Sequence, residues 1–167
     1  LSSGHGKSGV AVIRISGNNL KYTFSKFINK KIFTPRHAYF TNLKDDDNYL
    51  IDQVICIYFE APQSFTGEDI IEIHSHGAPA VIEKIFDHLQ KSNMRMATPG
   101  EFSKRAFYNN KMDLADIDGL AALLDAQTDK QRQSALKSMI GADSKQYDTW
   151  PNQMIEISAY ATTILDY

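Results

Sequence analysis

Residues 99–115 have the sequence PGEFSKRAFYNNKMDLA and separate an α/β pattern from a helical one. They predict a short helix, a turn at residues 109–110, where asparagines tolerate left-handed backbone, and a second helix. Asp113 is a favourable N-cap for that second helix, and Asp116 adds negative charge to its first turn. Lys111 is therefore predicted to lie on a short connector, where functional residues are common. A capped helical hairpin with a solvated basic face explains the same residues without a function.

The residues before this stretch predict an α/β (α+β) domain with a mixed sheet and hairpins. Alternating apolar residues indicate strands, and apolar residues spaced three and four apart indicate helices. The predicted strands cover 10–16, 38–43, 50–59, 69–74 and 93–97, and the predicted helices cover about 16–29 and 77–90. The sequence thus predicts a first domain over residues 1–112.

Residues 113–167 predict the start of a helical domain. The apolar residues of its first long helix are Leu114, Ile117, Leu120, Leu124, Leu136, Met139 and Ile140. A second helix over about 144–166 has a heptad-like seam formed by Trp150, Met154, Ile157, Ala161 and Ile164. Pro151 is expected to kink this helix or to mark its start. Two amphipathic helices make a poor core, so the chain is expected to be a fragment of a larger protein.

The composition is that of a globular protein. The chain has 167 residues, of which 43% are hydrophobic, and a net charge of −2. This charge gives no general attraction to nucleic acid, so any RNA contact would have to be local. Cys56 lies in an apolar run and is predicted to be a buried thiol in a reducing compartment. No signal peptide or membrane span is recognised, and a cytoplasmic location is expected.

Two charged residues lie on strand faces that are otherwise apolar. Arg14 shares a predicted face with two valines, and Glu72 shares one with Ile70 and His74. A carboxylate in such a place needs a partner, because burying it alone is costly. Glu72 could bind a ligand with two adjacent N–H donors, such as a pterin ring, or it could form an internal salt bridge with Arg14.

Other motifs give weaker signals. His74 and His76 could ligate a metal, but no third ligand follows at a suitable spacing, so no metal site is predicted. Residues 4–8, GHGKS, end like a phosphate-binding loop, but the first glycine of that motif is missing and no strand precedes them. No nucleophile motif is found, and no catalytic residue is predicted.

Several separated motifs together resemble the N-terminal part of the tRNA-modifying GTPase family called MnmE or TrmE. They are GVAVIRISG at 9–17, PR at 35–36, SFTGED at 64–69, Glu72, HG at 76–77, PGEF at 99–102, RAF at 105–107 and NKMDL at 110–114. Because they occur in order over nearly the whole chain, the resemblance is much more specific than any single motif.

The resemblance implies a folate-binding and dimerisation domain followed by the first helices of a helical domain. In that family a GTPase domain, which uses GTP, Mg²⁺ and K⁺, interrupts the helical domain, and the chain ends near the expected insertion. The fragment is therefore not expected to hydrolyse GTP alone. The family forms homodimers and works with MnmG, a flavin protein. Together they add aminomethyl or carboxymethylaminomethyl groups to C5 of the wobble uridine (U34) of certain tRNAs.

The resemblance also implies a cofactor site. The one-carbon unit comes from a tetrahydrofolate derivative, 5-formyl- or 5,10-methylene-tetrahydrofolate. Matched by motif, the folate contacts of the family fall on Arg14, Glu72 and Lys111. Two alternatives remain open at this point: a stand-alone folate-dependent one-carbon transferase, and a scaffold that only dimerises.

Overall fold

A computed structural model of the chain describes residues 1–3, 6–139 and 150–165. It divides into two compact units, Leu1–Lys111 and Met112–Tyr167. In the described residues, no helix combines the length and apolar character needed to cross a membrane. Gly4 and His5 of the rejected phosphate-loop candidate lie outside the described residues.

The first unit contains a four-stranded sheet in the order β1-β4-β3-β2. Its elements are β1 (Ser8–Gly17), α1 (Lys21–Phe27), β2 (Ala38–Lys44), β3 (Leu50–Phe59), β4 (Asp69–Gly77), α2 (Pro79–Lys91) and α3 (Glu101–Tyr108). The predicted fold class is confirmed. All three strand pairs are antiparallel rather than mixed, because β2, β3 and β4 follow one another as neighbours and β1 runs opposite to β4.

One face of the sheet forms the core with α1 and α2. Ile13 of β1, Tyr58 of β3 and Ile73 of β4 are buried there against Phe24 of α1 and Ile85 of α2. Alternation along each strand sends the intervening side chains to the opposite face. That opposite face carries Arg14 and Glu72, so we call it the open face. The predicted burial of Cys56 is confirmed, and burial raises the pKa of its thiol to about 12.

A buried aspartate fixes the two loops that flank the start of β4. Asp69 accepts hydrogen bonds from the backbone N–H groups of Leu20 and Ala61, each at 3.0 Å. Leu20 precedes α1 and Ala61 follows β3, so one carboxylate ties both segments to the sheet. Removing it would leave two backbone donors without a partner, which is costly in a buried place.

The predicted strand over residues 93–97 is wrong. This segment forms no ladder with the four strands of the described sheet. Met94 packs against the core, but Met96 is half exposed and the side chain of Arg95 turns to Glu101 instead. An ion pair and one apolar contact thus replace the regular alternation that a strand needs.

The second unit contains α4 (Leu114–Asp125), α5 (Asp129–Met139) and α6 (Trp150–Leu165). Asp113 caps α4 as predicted, in a capping box with Asp116. The single long helix predicted from Leu114 onward is wrong, because residues 126–128 interrupt it. The side chain of Gln131 accepts hydrogen bonds from the backbone N–H groups of Gln127 and Thr128, each at 2.9 Å, and starts α5 anew.

A buried glycine brings α4 and α5 together. A methyl group on Gly119 would lie 2.6 Å from the backbone nitrogen of Met139 and 3.1 Å from the carbonyl oxygen of Ala135. The break at 126–128 therefore produces a closely packed hairpin. Of the apolar residues that indicated the helix, Leu114 and Leu124 are 66% and 80% exposed.

The predicted helix with the heptad-like seam is present as α6. In the described residues its apolar seam is exposed, with Met154, Ile157 and Ile164 each more than 60% accessible. Pro151 is the second residue of the described helix. The predicted positions 140, 144–149 and 166 lie outside the described residues.

Candidate functional site

Arg14 and Glu72 face each other across β1 and β4. They are paired in the strand register, and Arg14 Nε donates a 2.7 Å hydrogen bond to Glu72 Oε1. The side chain of Glu72 is 14% exposed and that of Arg14 is 38% exposed. His74, two residues along β4, places Nε2 3.3 Å from the other oxygen of Glu72. The open face therefore carries a half-exposed cluster of one carboxylate and two nitrogen groups.

The internal salt bridge left open for Glu72 is thus present. This salt bridge does not occupy all the hydrogen-bonding groups of the cluster, because in the described residues the guanidinium of Arg14 donates only through Nε. The remaining donors of Arg14 and the outer lone pairs of Glu72 are available to a planar polar ligand. Since the pair is fixed by the strand register, little side-chain entropy remains to be lost on binding.

A polar network attaches the loop between β3 and β4 to the open face. The hydroxyl of Ser16 on β1 lies 2.6 Å from that of Thr66 and donates a 2.8 Å bond to Glu68 Oε2. Arg105 on α3 donates to both oxygens of Glu68, at 2.8 and 3.0 Å. Asn109 donates its side-chain amide to the carbonyl of Thr66 at 2.7 Å. The loop is held between β1 and the end of α3.

Glu101 connects this network to the segment before α3. It accepts hydrogen bonds from Arg95 Nη1 at 2.9 Å, from Arg105 Nη2 at 2.8 Å and from the backbone N–H of Thr98 at 2.9 Å. The bonds from Arg95 and then Arg105 hold the pKa of Glu101 far below its usual range, while Glu101 and Glu68 raise the pKa of Arg105. The apolar pattern of the sequence does not indicate this network, although Glu101 and Arg105 have the i,i+4 spacing of a helical ion pair.

Lys111 lies against the tip of the same loop. Gly67 has φ +77°, and a methyl group there would lie 2.9 Å from Asn109 Cβ and 3.3 Å from Lys111 Cγ and Cε. Glycine is therefore required for both conformation and space. Asn110 has φ 54°, as its predicted place in a turn requires, and Lys111 continues from it. In the described residues the ammonium group of Lys111 makes no ion pair, so it is available to an anion.

The three predicted site residues thus lie in one unit, but only two of them touch. Arg14 and Glu72 form a pair, whereas Lys111 is linked to them only indirectly. The link runs from Lys111 to Gly67 of the loop, and Thr66 of that loop bonds to Ser16, two residues from Arg14. The structure therefore places Lys111, a second cationic residue, against the loop that also bonds to β1 near the Arg14–Glu72 pair.

The two histidines of β4 have separate partners. His76 Nδ1 lies 2.8 Å from Asp52, which also accepts the backbone N–H of His76 at 2.8 Å. Burial would raise the pKa of Asp52, but these hydrogen bonds outweigh it and leave the pKa below its usual value. The described residues contain no group of three His, Cys, Asp or Glu side chains arranged to hold a metal ion.

The Glu101 network predicts a pH dependence of stability. Folding lowers the pKa of Glu101. Its contribution to the free energy of unfolding is therefore fully present above its pKa in the unfolded chain, about 4.3, and is lost as the pH falls toward its pKa in the folded chain. We expect Glu101→Gln to lower Tm at neutral pH, and the difference from the wild-type chain to narrow between about pH 5 and pH 3. Thermal unfolding followed by circular dichroism over this range measures it.

The matched control is Glu83→Gln, which removes the same charge from an exposed position on α2. Its Tm should differ from the wild-type value by a small, pH-independent amount. A Glu101→Gln variant whose Tm deficit stays constant down to about pH 3 would contradict the assignment.

Comparison with known proteins extends over the whole chain. A family model described as GTP-binding protein TrmE N-terminus matches residues 1–111. The tRNA modification GTPase MnmE of Wolbachia pipientis subsp. Culex pipiens (strain wPip) is 48% identical over 100% of the chain, which covers 38% of that protein. The protein of the same name from Ehrlichia ruminantium (strain Gardel) is 44% identical over 97% of the chain, which covers 37% of it.

A third relative, tRNA modification GTPase MnmE of Parvibaculum lavamentivorans, is 40% identical over 100% of the chain. The chain spans 39% of this relative and less than two fifths of the other two. The family model covers the unit that carries Arg14, Glu72 and Lys111, and the relatives extend the similarity through the helical unit. The chain belongs to the GTP-binding protein TrmE N-terminus family.

Proposed function

We propose that the chain is the tetrahydrofolate-binding and dimerisation part of a tRNA modification GTPase. The family membership and the names of the relatives support the tRNA modification GTPase as the parent protein. The observation that carries the folate proposal is the Arg14–Glu72 pair, which lies partly exposed on the open face with unused donors and acceptors. Its residue types suit a ligand that has both adjacent N–H donors and carboxylates.

The chemistry of the site fits a tetrahydrofolate. Glu72 would accept the paired N–H donors of the pterin ring through charge-assisted hydrogen bonds. Arg14 and Lys111 would serve a ring carbonyl or the carboxylates of the glutamate tail. The bound folate would supply a one-carbon unit, and the task of these side chains is to bind and orient it.

The wider function of the parent protein is part of the same proposal. With the flavin protein MnmG, it would add aminomethyl or carboxymethylaminomethyl groups to C5 of the wobble uridine of tRNA in the cytoplasm. GTP, Mg²⁺ and K⁺ would act in a GTPase domain of the parent. The part of the parent represented by this chain would contribute the folate and the homodimer contact.

Calorimetry with 5-formyltetrahydrofolate tests the folate proposal directly. We expect saturable binding with one folate per chain. A folded chain that releases or absorbs no heat, and whose Tm does not rise with the ligand, would disprove it, because binding to the native state must stabilise it.

The scaffold alternative is favoured by one observation, the internal pairing of Glu72 with Arg14. If that pair only stabilises the sheet, the chain should dimerise without responding to folate. Analytical ultracentrifugation with and without 5-formyltetrahydrofolate separates the two functions. A dimer combined with the absence of any folate binding would support the scaffold.

Lys111 provides a further prediction. Lys111→Ala should weaken folate binding about five-fold, because one exposed charge-assisted contact is lost. The control is Lys104→Ala, which removes an exposed lysine from α3, seven residues away in the sequence. Calorimetry should show wild-type affinity for Lys104→Ala. Equal folate affinities for the two variants would show that Lys111 does not contact the folate.

A further inference from the structure

The charge of the chain is divided unevenly along its length. The first acidic residue is Asp45, so all 20 Asp and Glu residues follow position 44, whereas eight of the 18 Lys and Arg residues precede it. The net charge of −2 therefore combines a basic N-terminal segment with an acidic remainder. A basic segment of this kind is the pattern expected of a local contact with a polyanion.

Much of this charge is exposed on α1 and on the connection from α1 to β2. We define the basic surface as Lys26, Lys30 and Lys31, all of which are exposed. The apolar side of α1 is buried in the core. The basic surface therefore belongs to the helix-covered side of the sheet, away from the open face with Arg14 and Glu72.

Aromatic rings hold two of these three cations in place. Lys26 Nζ lies 4.6 Å from the ring centre of Tyr22, and Lys30 Nζ lies 5.2 Å from that of Tyr39. A ring orients a cation without neutralising it, unlike a carboxylate.

The lysines of the basic surface also lack acidic partners within the described residues. Lys26, Lys30 and Lys31 form no ion pair there, whereas Lys84 on α2 lies 3.3 Å from Asp45. Three ammonium groups from one short segment thus remain uncompensated. These exposed ammonium groups are therefore available to a polyanion.

The neighbouring groups favour RNA over other polyanions. An anionic membrane would attract the same lysines by charge, but stable membrane binding also uses an exposed apolar helix face, and α1 buries its apolar side in the core through Phe24. Tyr22 is 69% exposed beside the lysines and offers a ring on which a base can stack. Cations interleaved with aromatic rings are the combination by which proteins bind an RNA backbone and its unpaired bases.

We propose that the basic surface is an RNA-binding surface, and that it contacts phosphates through Lys26, Lys30 and Lys31. The choice of tRNA as the RNA rests on the proposed function, whereas the assignment of the surface depends only on its charge and exposure. RNA binding and folate binding would then use opposite sides of the sheet and can be lost separately.

The test is the binding of an unmodified tRNA transcript, measured by fluorescence anisotropy from about 50 to 200 mM salt. At about 200 mM salt, the variant K26Q/K30Q/K31Q should bind about five- to ten-fold more weakly than the wild-type chain. The slope of log K against log salt should decrease in magnitude by roughly two to three. The matched control K91Q/K104Q/K130Q changes the net charge equally but leaves the basic surface intact. It should bind within about two-fold of the wild-type chain.

Three results would overturn the proposal: a wild-type chain that does not bind the transcript, equal losses in both triple variants, or displacement of the RNA by poly-L-glutamate at equal charge. The last result would assign the surface to an acidic protein. Calorimetry with 5-formyltetrahydrofolate on the same variants separates this proposal from the folate proposal. Unchanged folate binding by K26Q/K30Q/K31Q is expected, whatever the RNA result.

Discussion

Replacing Glu72 with alanine is expected to weaken the binding of 5-formyltetrahydrofolate by about ten- to hundred-fold. The carboxylate is only 14% exposed and is the acceptor in the Arg14–Glu72 pair. Its loss would leave the N–H donors of the ligand without a charged acceptor and Arg14 without its partner. Calorimetry on the purified variant measures the change in Kd.

The same substitution should have little effect on stability, which separates a ligand role from a structural one. Although Glu72 is shielded, Arg14 is 38% exposed, so its guanidinium can be hydrated once the carboxylate is removed, and the loss in the free energy of unfolding should be about 1 kcal/mol. The control is Asp52→Ala, which removes a similarly shielded carboxylate from the pair with His76. It should retain folate binding. A Glu72→Ala variant with unchanged Kd would refute the assigned role, and Glu72→Gln should be intermediate because it keeps one acceptor oxygen.

The strands of the sheet, and the strand faces on which Arg14 and Glu72 lie, could be predicted because local patterns determine them. Alternation along β1 and β4 assigns Ile13 and Ile73 to the core, and Arg14 and Glu72 to the other face. Once β1 and β4 are neighbours in register, the two charges must meet. Sequence alone could not establish that β1 and β4 are neighbours. An ion pair with Arg14 and a contact with a ligand were therefore equally good interpretations of Glu72.

The features that were missed depend on specific side-chain contacts, which the apolar pattern does not record. The segment 93–97 has strand-like residues, but Glu101 draws Arg95 away from any ladder. The break between α4 and α5 could have been recognised from Thr128 and Gln131, which have capping-box spacing. One helix was predicted across this segment although no apolar residue larger than alanine lies between Leu124 and Leu136. The link from Ser16 through Glu68 to Arg105 joins three elements, and only the fold brings them together.

Gly77→Ala is expected to lower the free energy of unfolding by about 2–3 kcal/mol, because it forces a methyl group into the backbone of a neighbouring strand. Gly77 ends β4 and is paired with Ser8 of β1. The added carbon would lie 2.5 Å from the carbonyl oxygen of Ser8 and 2.9 Å from its carbonyl carbon, and it would also overlap the hydroxyl. Side-chain rotation can relieve only the last of these contacts. Urea denaturation measures the loss.

Gly9→Ala is the matched control, since it adds the same methyl group one residue further along β1, where no atom lies within 4 Å. Its stability should stay within about 0.5 kcal/mol of the wild-type value. Equal free energies of unfolding for the two variants would mean that the end of β1 moves aside without cost, and would contradict the prediction. If instead β1 shifts to relieve the overlap, Arg14 moves with it and folate affinity should fall in Gly77→Ala alone. A stability defect accompanied by unchanged folate affinity would confine the disturbance to the end of the strand.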